Sequence, residues 1–132
     1  MKPIFALICA AALLCPALVP AQDATASYPS RAVHLIVPFP PGGGVDVIGR
    51  TLAQQMAVKF GQTFIVDNRP GASGNIGVRA AIAAQPDGYT LLLFATVVGM
   101  YPLINSKLEY DPFTDLAPIA TVATQPLALF TT

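Results

Sequence analysis

The stretch AVHLIVPFPPGGG, residues 32–44, decides the fold. Its first part, residues 32–37, is apolar and rich in branched side chains without strict alternation, which is typical of a strand buried on both faces of a parallel sheet. Proline then fixes φ and glycine frees it, so residues 39–44 must form a loop. Apolar side chains recur at helical spacing over residues 45–60, and Gly61 is a natural helix end. The stretch predicts a strand, a glycine-rich loop and a helix.

The same alternation continues along the chain. Residues 63–66 read as a second strand, residues 75–85 as a second helix, and residues 89–95 as a third buried strand. Short helices that alternate with apolar strands indicate a parallel sheet with right-handed crossovers. The predicted fold class is therefore α/β, with a parallel β-α-β-α-β order.

Beyond residue 96 the pattern weakens. Residues 97–105 allow a short helix interrupted by a proline, and residues 110–116 a loop or helical turn. Two further strands are expected at residues 119–123 and 127–131.

The N-terminus has the anatomy of a secretory signal peptide over residues 1–26: a positive Lys2, an apolar stretch, and cleavage after Ala21 or Ala26. Both cysteines lie inside this segment. The mature chain would therefore have no disulfide, thiolate metal site or cysteine nucleophile. We expect export to the periplasm, with residues 27–132 forming a partial N-terminal α/β lobe.

Composition excludes several classes of protein. With 54% hydrophobic and 11% charged residues, the chain is not disordered. Seven basic residues balance seven acidic ones, so nothing favours nucleic acid or an anionic membrane surface. The single histidine, His34, lies within a strand pattern and the acids are scattered, so we expect no catalytic residues, no metal site and no cofactor.

The glycine-rich loop carries the strongest chemical argument. It connects the first strand to the first helix, at the sheet edge where open α/β folds bind ligands. Backbone N–H groups there can donate to an anion with help from the helix dipole, although a tight turn packed against another loop is an equal alternative. The sequence after Gly44 matches neither a P-loop nor a dinucleotide fingerprint, since Val45 and Asp46 follow and Val47 replaces the third glycine. The carboxylate of Asp46 would be favoured by its place near the N-terminus of the predicted helix.

Two other segments reach the same predicted edge. Ser73 and Asn75, after the second strand, could cap the second helix or donate to a ligand. Arg69 could clamp a carboxylate or brace the loop. Thr96 stands after the third strand, where its hydroxyl could contact a ligand or be satisfied locally.

Five motifs occur together in order: YPSR at residues 28–31, VPFPPGG at 37–43 with Asp46 and Arg50, NRPGA with GNIG at 68–77, PDGYTLL at 86–92, and YDP at 110–112. Together they closely resemble the Bug (Bordetella uptake gene) family, the extracytoplasmic solute receptors of tripartite tricarboxylate transporters.

The resemblance implies a type II periplasmic binding protein whose two lobes close around a small carboxylate, such as a di- or tricarboxylate, an amino acid or an aromatic acid. Membrane transporter subunits would be its partners. The mature chain would bind no nucleic acid and would not insert into the membrane. Carried over by position, the ligand-binding residues would be Phe39, Pro40, Pro41, Gly42, Gly43, Gly44, Ser73, Gly74 and Asn75. Thr96 joins these candidate ligand-binding residues because of its place at the same predicted edge.

Family members are much longer than this chain. We therefore expect a truncated N-terminal part that supplies most of the first lobe and lacks the second. Two alternatives stay open at this point. The chain could belong to an exported α/β enzyme whose catalytic residues lie elsewhere, or it could be a non-functional fragment.

Overall fold

The structure, a computed structural model, describes residues 28–105 and 108–124. Strands β1 (Val33–Val37), β2 (Phe64–Asn68) and β3 (Thr90–Leu92) form a parallel sheet in the order β2-β1-β3. In this register Leu35 of β1 lies between Val66 and Leu91. The predicted fold class, a parallel β-α-β-α-β arrangement, is confirmed.

Two helices make the crossovers. Helix α1 spans Gly44–Phe60 and helix α2 spans Asn75–Ile82, which is three residues shorter than predicted. A 3-10 helix at Ala72–Gly74 leads into α2, and a second one at Thr96–Met100 leads into the short helix α3, Tyr101–Ile104. Helix α1 ends as predicted at Gly61, whose φ of 66° places it in the left-handed region and whose N–H donates to the Ala57 carbonyl at 3.0 Å.

The core lies on both faces of β1. Right-handed crossovers in the order β2-β1-β3 place α1 and α2 on opposite faces. On the α1 face, Val33, Ala53 and Phe64 are buried together, and Met56, Ala57, Val66, Tyr89 and Leu91 pack against them. Ile36 points to the other face and is also buried, as is Val78 of α2. The prediction of a first strand buried on both faces is confirmed for all of β1 except His34, which is exposed.

The amino ends of β1 and β3 are tied together by the segment before β1. The Tyr28 hydroxyl donates to the Gly88 carbonyl at 2.6 Å. Arg31 pairs with Asp87 at 2.8 Å, and its guanidinium lies 3.9 Å from the centre of the Tyr89 ring. These contacts lie at the sheet edge opposite the glycine-rich loop.

The chain beyond α3 departs from prediction. The expected strand at residues 119–123 is wrong, because those residues are irregular and Ile119 is 81% exposed. A strand needs a partner for its N–H and C=O groups, and among the described residues no strand pairs with this segment. The other expected strand, at residues 127–131, lies outside the described residues, as does the predicted signal peptide at 1–26.

Candidate functional site

The carboxyl ends of the three strands bring the predicted site segments together. The side-chain Nδ2 of Asn68, the last residue of β2, donates to the Phe39 carbonyl in the loop after β1 at 3.1 Å. The Phe39 ring stacks on that of Phe94, which follows β3, with 5.4 Å between ring centres. The two predicted ligand loops and the segment after β3 therefore share one edge of the sheet, as the parallel topology predicts.

An aromatic column supports this edge. The Phe94 ring continues from Phe39 to Tyr101, edge to face, with 6.0 Å between ring centres. The Tyr101 hydroxyl donates to the Ser73 carbonyl. Gly74 packs directly on the column, because a Cβ built there would lie 2.6 Å from Cε2 of Phe94. The column fixes the spacing between the first and second loops.

The first loop enters α1 through three consecutive glycines. Gly42 has a φ of 86°, which favours glycine, and its N–H donates to Oδ2 of Asp46 at 2.8 Å. The first bond of the helix runs from the Val47 N–H to the Gly43 carbonyl at 3.0 Å. The N–H groups of residues 44–46 precede that bond, so the helix itself gives them no acceptor.

Gly43 and Gly44 stand where the fold does not require glycine. Gly43 has an ordinary extended conformation, with φ −76° and ψ 165°. A Cβ built at Gly43 would meet only the Pro40 carbonyl oxygen, at 3.6 Å, and one at Gly44 would meet nothing within 4 Å among the described residues. Pro40, Pro41 and all three glycines are exposed, and Phe39 is half-buried.

Asp46 is the buried charged residue at this edge, with 2% exposure. Its Oδ2 accepts from Gly42 N–H and from Arg50 Nε at 2.9 Å, and its Oδ1 accepts from Asn68 Nδ2 at 2.9 Å. A second Arg50 nitrogen donates to Asn68 Oδ1 at 3.0 Å. The sequence placed Asp46 in the first turn correctly but missed this network. The i,i+4 spacing of Asp46 and Arg50 was the signal that could have found part of it.

The network holds Asp46 ionised. Hydrogen bonds from Arg50, Gly42 and Asn68, in that order of effect, lower the pKa of Asp46 from 3.8 to about 2, and outweigh the opposing effect of burial.

This shift predicts the pH dependence of the Asp46→Asn variant. Because the folded-state pKa is depressed, the charged carboxylate stabilises the fold fully above about pH 4, and this contribution is lost as pH falls toward 2. Wild type should have a higher urea midpoint than Asp46→Asn at pH 6, and the gap should narrow between pH 4 and 2. Asp87→Asn, which breaks the exposed ion pair with Arg31, should cost less at pH 6. A gap that stays constant down to pH 2 would contradict the assignment.

The second loop is organised differently from the prediction. Ser73 and Asn75 do not cap α2: Gly74 is the N-cap, with φ 95°, and no side-chain cap bond is made there. Ser73 itself has a φ of 58° and is exposed. The left-handed backbone at residues 72–74 turns the chain tightly enough that backbone atoms take the place of a side-chain cap.

Both polar atoms of the Asn75 side chain, Nδ2 and Oδ1, are hydrogen-bonded. Nδ2 donates to the Ala72 carbonyl at 2.8 Å, and Oδ1 accepts from the Tyr110 hydroxyl at 2.5 Å. The backbone N–H groups of Asn75 and Gly74 donate to the carbonyls of Ala72 and Gly71. Burial raises the pKa of Tyr110. Sequence reasoning missed Tyr110 as a site residue, although the motif at residues 110–112 marked it.

The two remaining candidate site residues, Arg69 and Thr96, differ in what the structure shows of them. Arg69 braces its own loop, since its Nε lies 2.8 Å from Oδ2 of Asp67. Thr96 begins the second 3-10 helix at the expected edge, and the role of its hydroxyl stays a prediction.

Within residues 28–105 and 108–124, no group of three His, Cys, Asp or Glu residues could hold a metal ion. Among the helices of the same described segments, none has the length and apolarity that crossing a membrane requires.

Comparison with known proteins identifies a matching family model and several relatives of this chain. A family model described as "Tripartite tricarboxylate transporter family receptor" matches residues 48–132. Protein BugT of Bordetella pertussis is 41% identical over 109 residues, which are 80% of this chain and 33% of BugT. The chain thus spans about a third of the length of the curated relatives it matches.

Solved structures agree. A TctC solute-binding protein from Polaromonas is 43% identical with a TM-score of 0.59, over 64% of this chain and 29% of that one. The MatC protein of Rhodopseudomonas palustris, solved with bound malate, is 33% identical with a TM-score of 0.56, over 67% of this chain and 30% of that one. The described sheet and helices therefore match part of one lobe of these binding proteins, and the chain belongs to the tripartite tricarboxylate transporter receptor (TctC, or Bug) family, a family of solute-binding receptors rather than enzymes.

Proposed function

We propose that this chain forms one wall of a periplasmic receptor that captures a small carboxylate and presents it to the membrane subunits of a tripartite tricarboxylate transporter. Family membership supports the receptor role, and the malate in the related Rhodopseudomonas protein supports the ligand class. Export through the signal peptide at residues 1–26, with cleavage after Ala21 or Ala26, belongs to the same proposal.

The chemistry of capture rests on backbone donors of the glycine-rich loop. The N–H groups of Gly42, Gly74 and Asn75 already have acceptors in the chain. The donors at the start of α1, among them the N–H groups of Gly44 and Val45, have no acceptor within the helix, and the helix dipole adds about half a positive charge there. Asp46 lies beside them, but its charge is compensated by Arg50 and by donated hydrogen bonds.

The observation that carries the proposal is the open space at Gly43 and Gly44. Packing and backbone conformation inside the chain explain Gly42, Gly74 and Gly77, but neither explains these two positions. A ligand that approaches the backbone closely does explain them, because a methyl group there would stand between the ligand and the N–H groups.

The double variant Gly43→Ala/Gly44→Ala tests this site. Stability should change by less than about 1 kcal/mol, because alanine is the better helix former at Gly44 whereas glycine is preferred at the N-cap position of Gly43. Neither methyl group meets a protein atom closer than 3.6 Å. Affinity for the bound carboxylate should fall at least about tenfold, as expected when even one hydrogen bond to a charged group is lost.

Titration calorimetry with malate, citrate, glutamate and nicotinate would measure the affinity. It would be run on this chain and, where the reading frame continues past Thr132, on the longer product. We expect weak binding by this chain, since a single wall does not remove the ligand from water. Gln54→Ala, on the exposed side of α1, is the matched control and should bind as wild type does. Equal binding by wild type and the double variant would contradict the site, and chemical conversion of a bound ligand would contradict the receptor role.

A further inference from the structure

A single hydrogen-bonded network holds the glycine-rich loop at two points. Asn68 Nδ2 donates to the Phe39 carbonyl at 3.1 Å, before the two prolines, and to Asp46 Oδ1 at 2.9 Å. Asp46 Oδ2 accepts from Gly42 N–H at 2.8 Å, after the prolines. Both ends of the turn made by Pro40 and Pro41 are therefore anchored to groups outside it.

The arrangement goes beyond a favourable charge at a helix N-terminus. A carboxylate with that role alone would interact with the helix amides of its own first turn. The Asp46 carboxylate instead accepts from three donors on three segments: the loop at Gly42, the second turn of α1 at Arg50, and the end of β2 at Asn68. Its burial means that each of these bonds is made away from competing water.

We propose that Asp46 and Asn68 are positioning residues that set the shape of the glycine-rich loop and thereby decide which of its N–H groups meet the ligand. The inference rests on the proposed function and deepens it. Asp46 keeps the Gly42 N–H turned inward, and Asn68 keeps the Phe39 carbonyl turned away from the incoming anion. The donors at Gly44 and Val45 are then left to face the ligand in an ordered loop, so that little conformational entropy is lost on binding.

The acceptors that different side chains offer at position 46 make the proposal testable. An asparagine has the same shape, but one of its two terminal atoms is a donor. All the groups that face position 46 are donors: Gly42 N–H and Arg50 Nε on one side, Asn68 Nδ2 on the other. With its oxygen toward Gly42 and Arg50, the amide keeps both of those bonds and loses only the one from Asn68. Asp46→Ala, which has no acceptor, is therefore the variant that removes the Gly42 anchor.

The paired exchange Asp46→Asn/Asn68→Asp keeps an acceptor for Gly42 N–H and is the comparison for Asp46→Ala. The asparagine at position 46 can then donate to the carboxylate at position 68 and accept from Gly42 N–H, while Arg50 still meets a carboxylate. The anchor at Gly42 is kept, whereas the anchor at the Phe39 carbonyl is lost, because a carboxylate has no donor. If Asp46 had only a general effect on stability, this variant and Asp46→Ala would not differ selectively at Gly42.

Amide hydrogen exchange of residues 42–45, measured without ligand, reports directly on how firmly the N–H groups of the loop are held. Asp46→Ala should speed exchange at Gly42 at least about tenfold, whereas the paired exchange, which keeps an acceptor for Gly42, should leave it near wild type. Asp87→Asn, which breaks the 2.8 Å ion pair with Arg31 at the opposite edge, should leave exchange at Gly42 unchanged. Should Asp46→Ala fail to fold, Asn68→Ala deletes the Phe39 anchor and leaves Asp46 bonded to Gly42 and Arg50. It carries the same test at the amide N–H of Phe39, since Pro40 and Pro41 have no N–H.

Malate binding by calorimetry completes the experiment. Asp46→Ala and Asn68→Ala should each weaken malate binding several-fold or more, whereas Asp87→Asn should not. Unchanged exchange at Gly42 in Asp46→Ala would overturn the anchoring role. Fast exchange together with unchanged malate affinity would overturn the positioning role. A protected Gly42 in a wild type that binds none of the carboxylates would overturn the proposed function and the ligand part of this inference, while leaving the anchoring itself demonstrated.

Discussion

Gly77→Ala should destabilise the fold by about 2 kcal/mol or more, since overpacking of this kind typically costs about 1–3 kcal/mol and here two of the atoms met are backbone. A Cβ at Gly77 would lie 2.5 Å from Pro38 Cβ and 3.0 Å from both Pro38 Cα and the Arg69 carbonyl oxygen. Pro38 is fully buried and rigid, so it has no room to yield. The gain in helix propensity from glycine to alanine, about 1 kcal/mol, does not offset this.

Urea denaturation would measure the change in the free energy of unfolding. Gly44→Ala is the matched control, because the same methyl group in the other helix meets nothing within 4 Å among the described residues. It should leave stability unchanged or slightly raised. Helix α2 and the second loop would also move away from the first loop in Gly77→Ala, so carboxylate affinity should fall together with stability. Similar effects of the two substitutions would show that the close approach of α2 to Pro38 is not rigid.

Phe64→Ala should cost about 3–5 kcal/mol, which is the usual range for removing a buried phenylalanine. Phe64 is 9% exposed and packs with Val33 and Ala53 in the core beneath α1. The aromatic ring of Phe60, at the end of α1, lies 6.0 Å from its centre. Removing the ring opens a cavity that connects the sheet to the last turn of α1.

The neighbouring residue supplies the control for Phe64→Ala. Ile65 lies on the same strand but points to the other face and is 41% exposed. Ile65→Ala should therefore cost less than about 1 kcal/mol beyond its small loss of strand propensity. Thermal melting of both variants would separate them by many degrees, since about 1 kcal/mol shifts the midpoint of a domain of this size by about 4–8 °C. Equal shifts would mean that the α1 face is not the main core.

The extent of each strand was the least predictable part of the fold. β2 runs on through Asp67 and Asn68, which the apolar pattern had excluded, because their backbones continue the ladder opposite Ile36 and Val37. β3 is shorter than its apolar run, residues 89–95, because the register with β1 covers only Thr90–Leu92. Strand length depends on what the partner strand offers, and local composition carries no information about that.

In the site, too, the order of elements predicts some features, whereas others depend on contacts between residues far apart in the sequence. Parallel topology places the carboxyl ends of all strands on one edge, so the meeting of the two loops followed from the order of elements. The bond between Tyr110 and Asn75 joins residues 35 positions apart, and nothing in either neighbourhood predicts it. The capping prediction for Ser73 and Asn75 is wrong because it assumed an ordinary helix start, whereas Ala72 and Ser73 have positive φ.

The hydrogen bonds of Tyr101 and Tyr110 to the second loop have a practical consequence. The chain contains four tyrosines and no tryptophan, and the other two, Tyr28 and Tyr89, lie at the far edge of the sheet. Near-ultraviolet absorbance and emission of the protein therefore come from two phenol pairs in separate places. Replacing Tyr28 and Tyr89 with phenylalanine would leave an optical signal that arises only beside the second loop, so that its rearrangement could be followed in real time without any added dye.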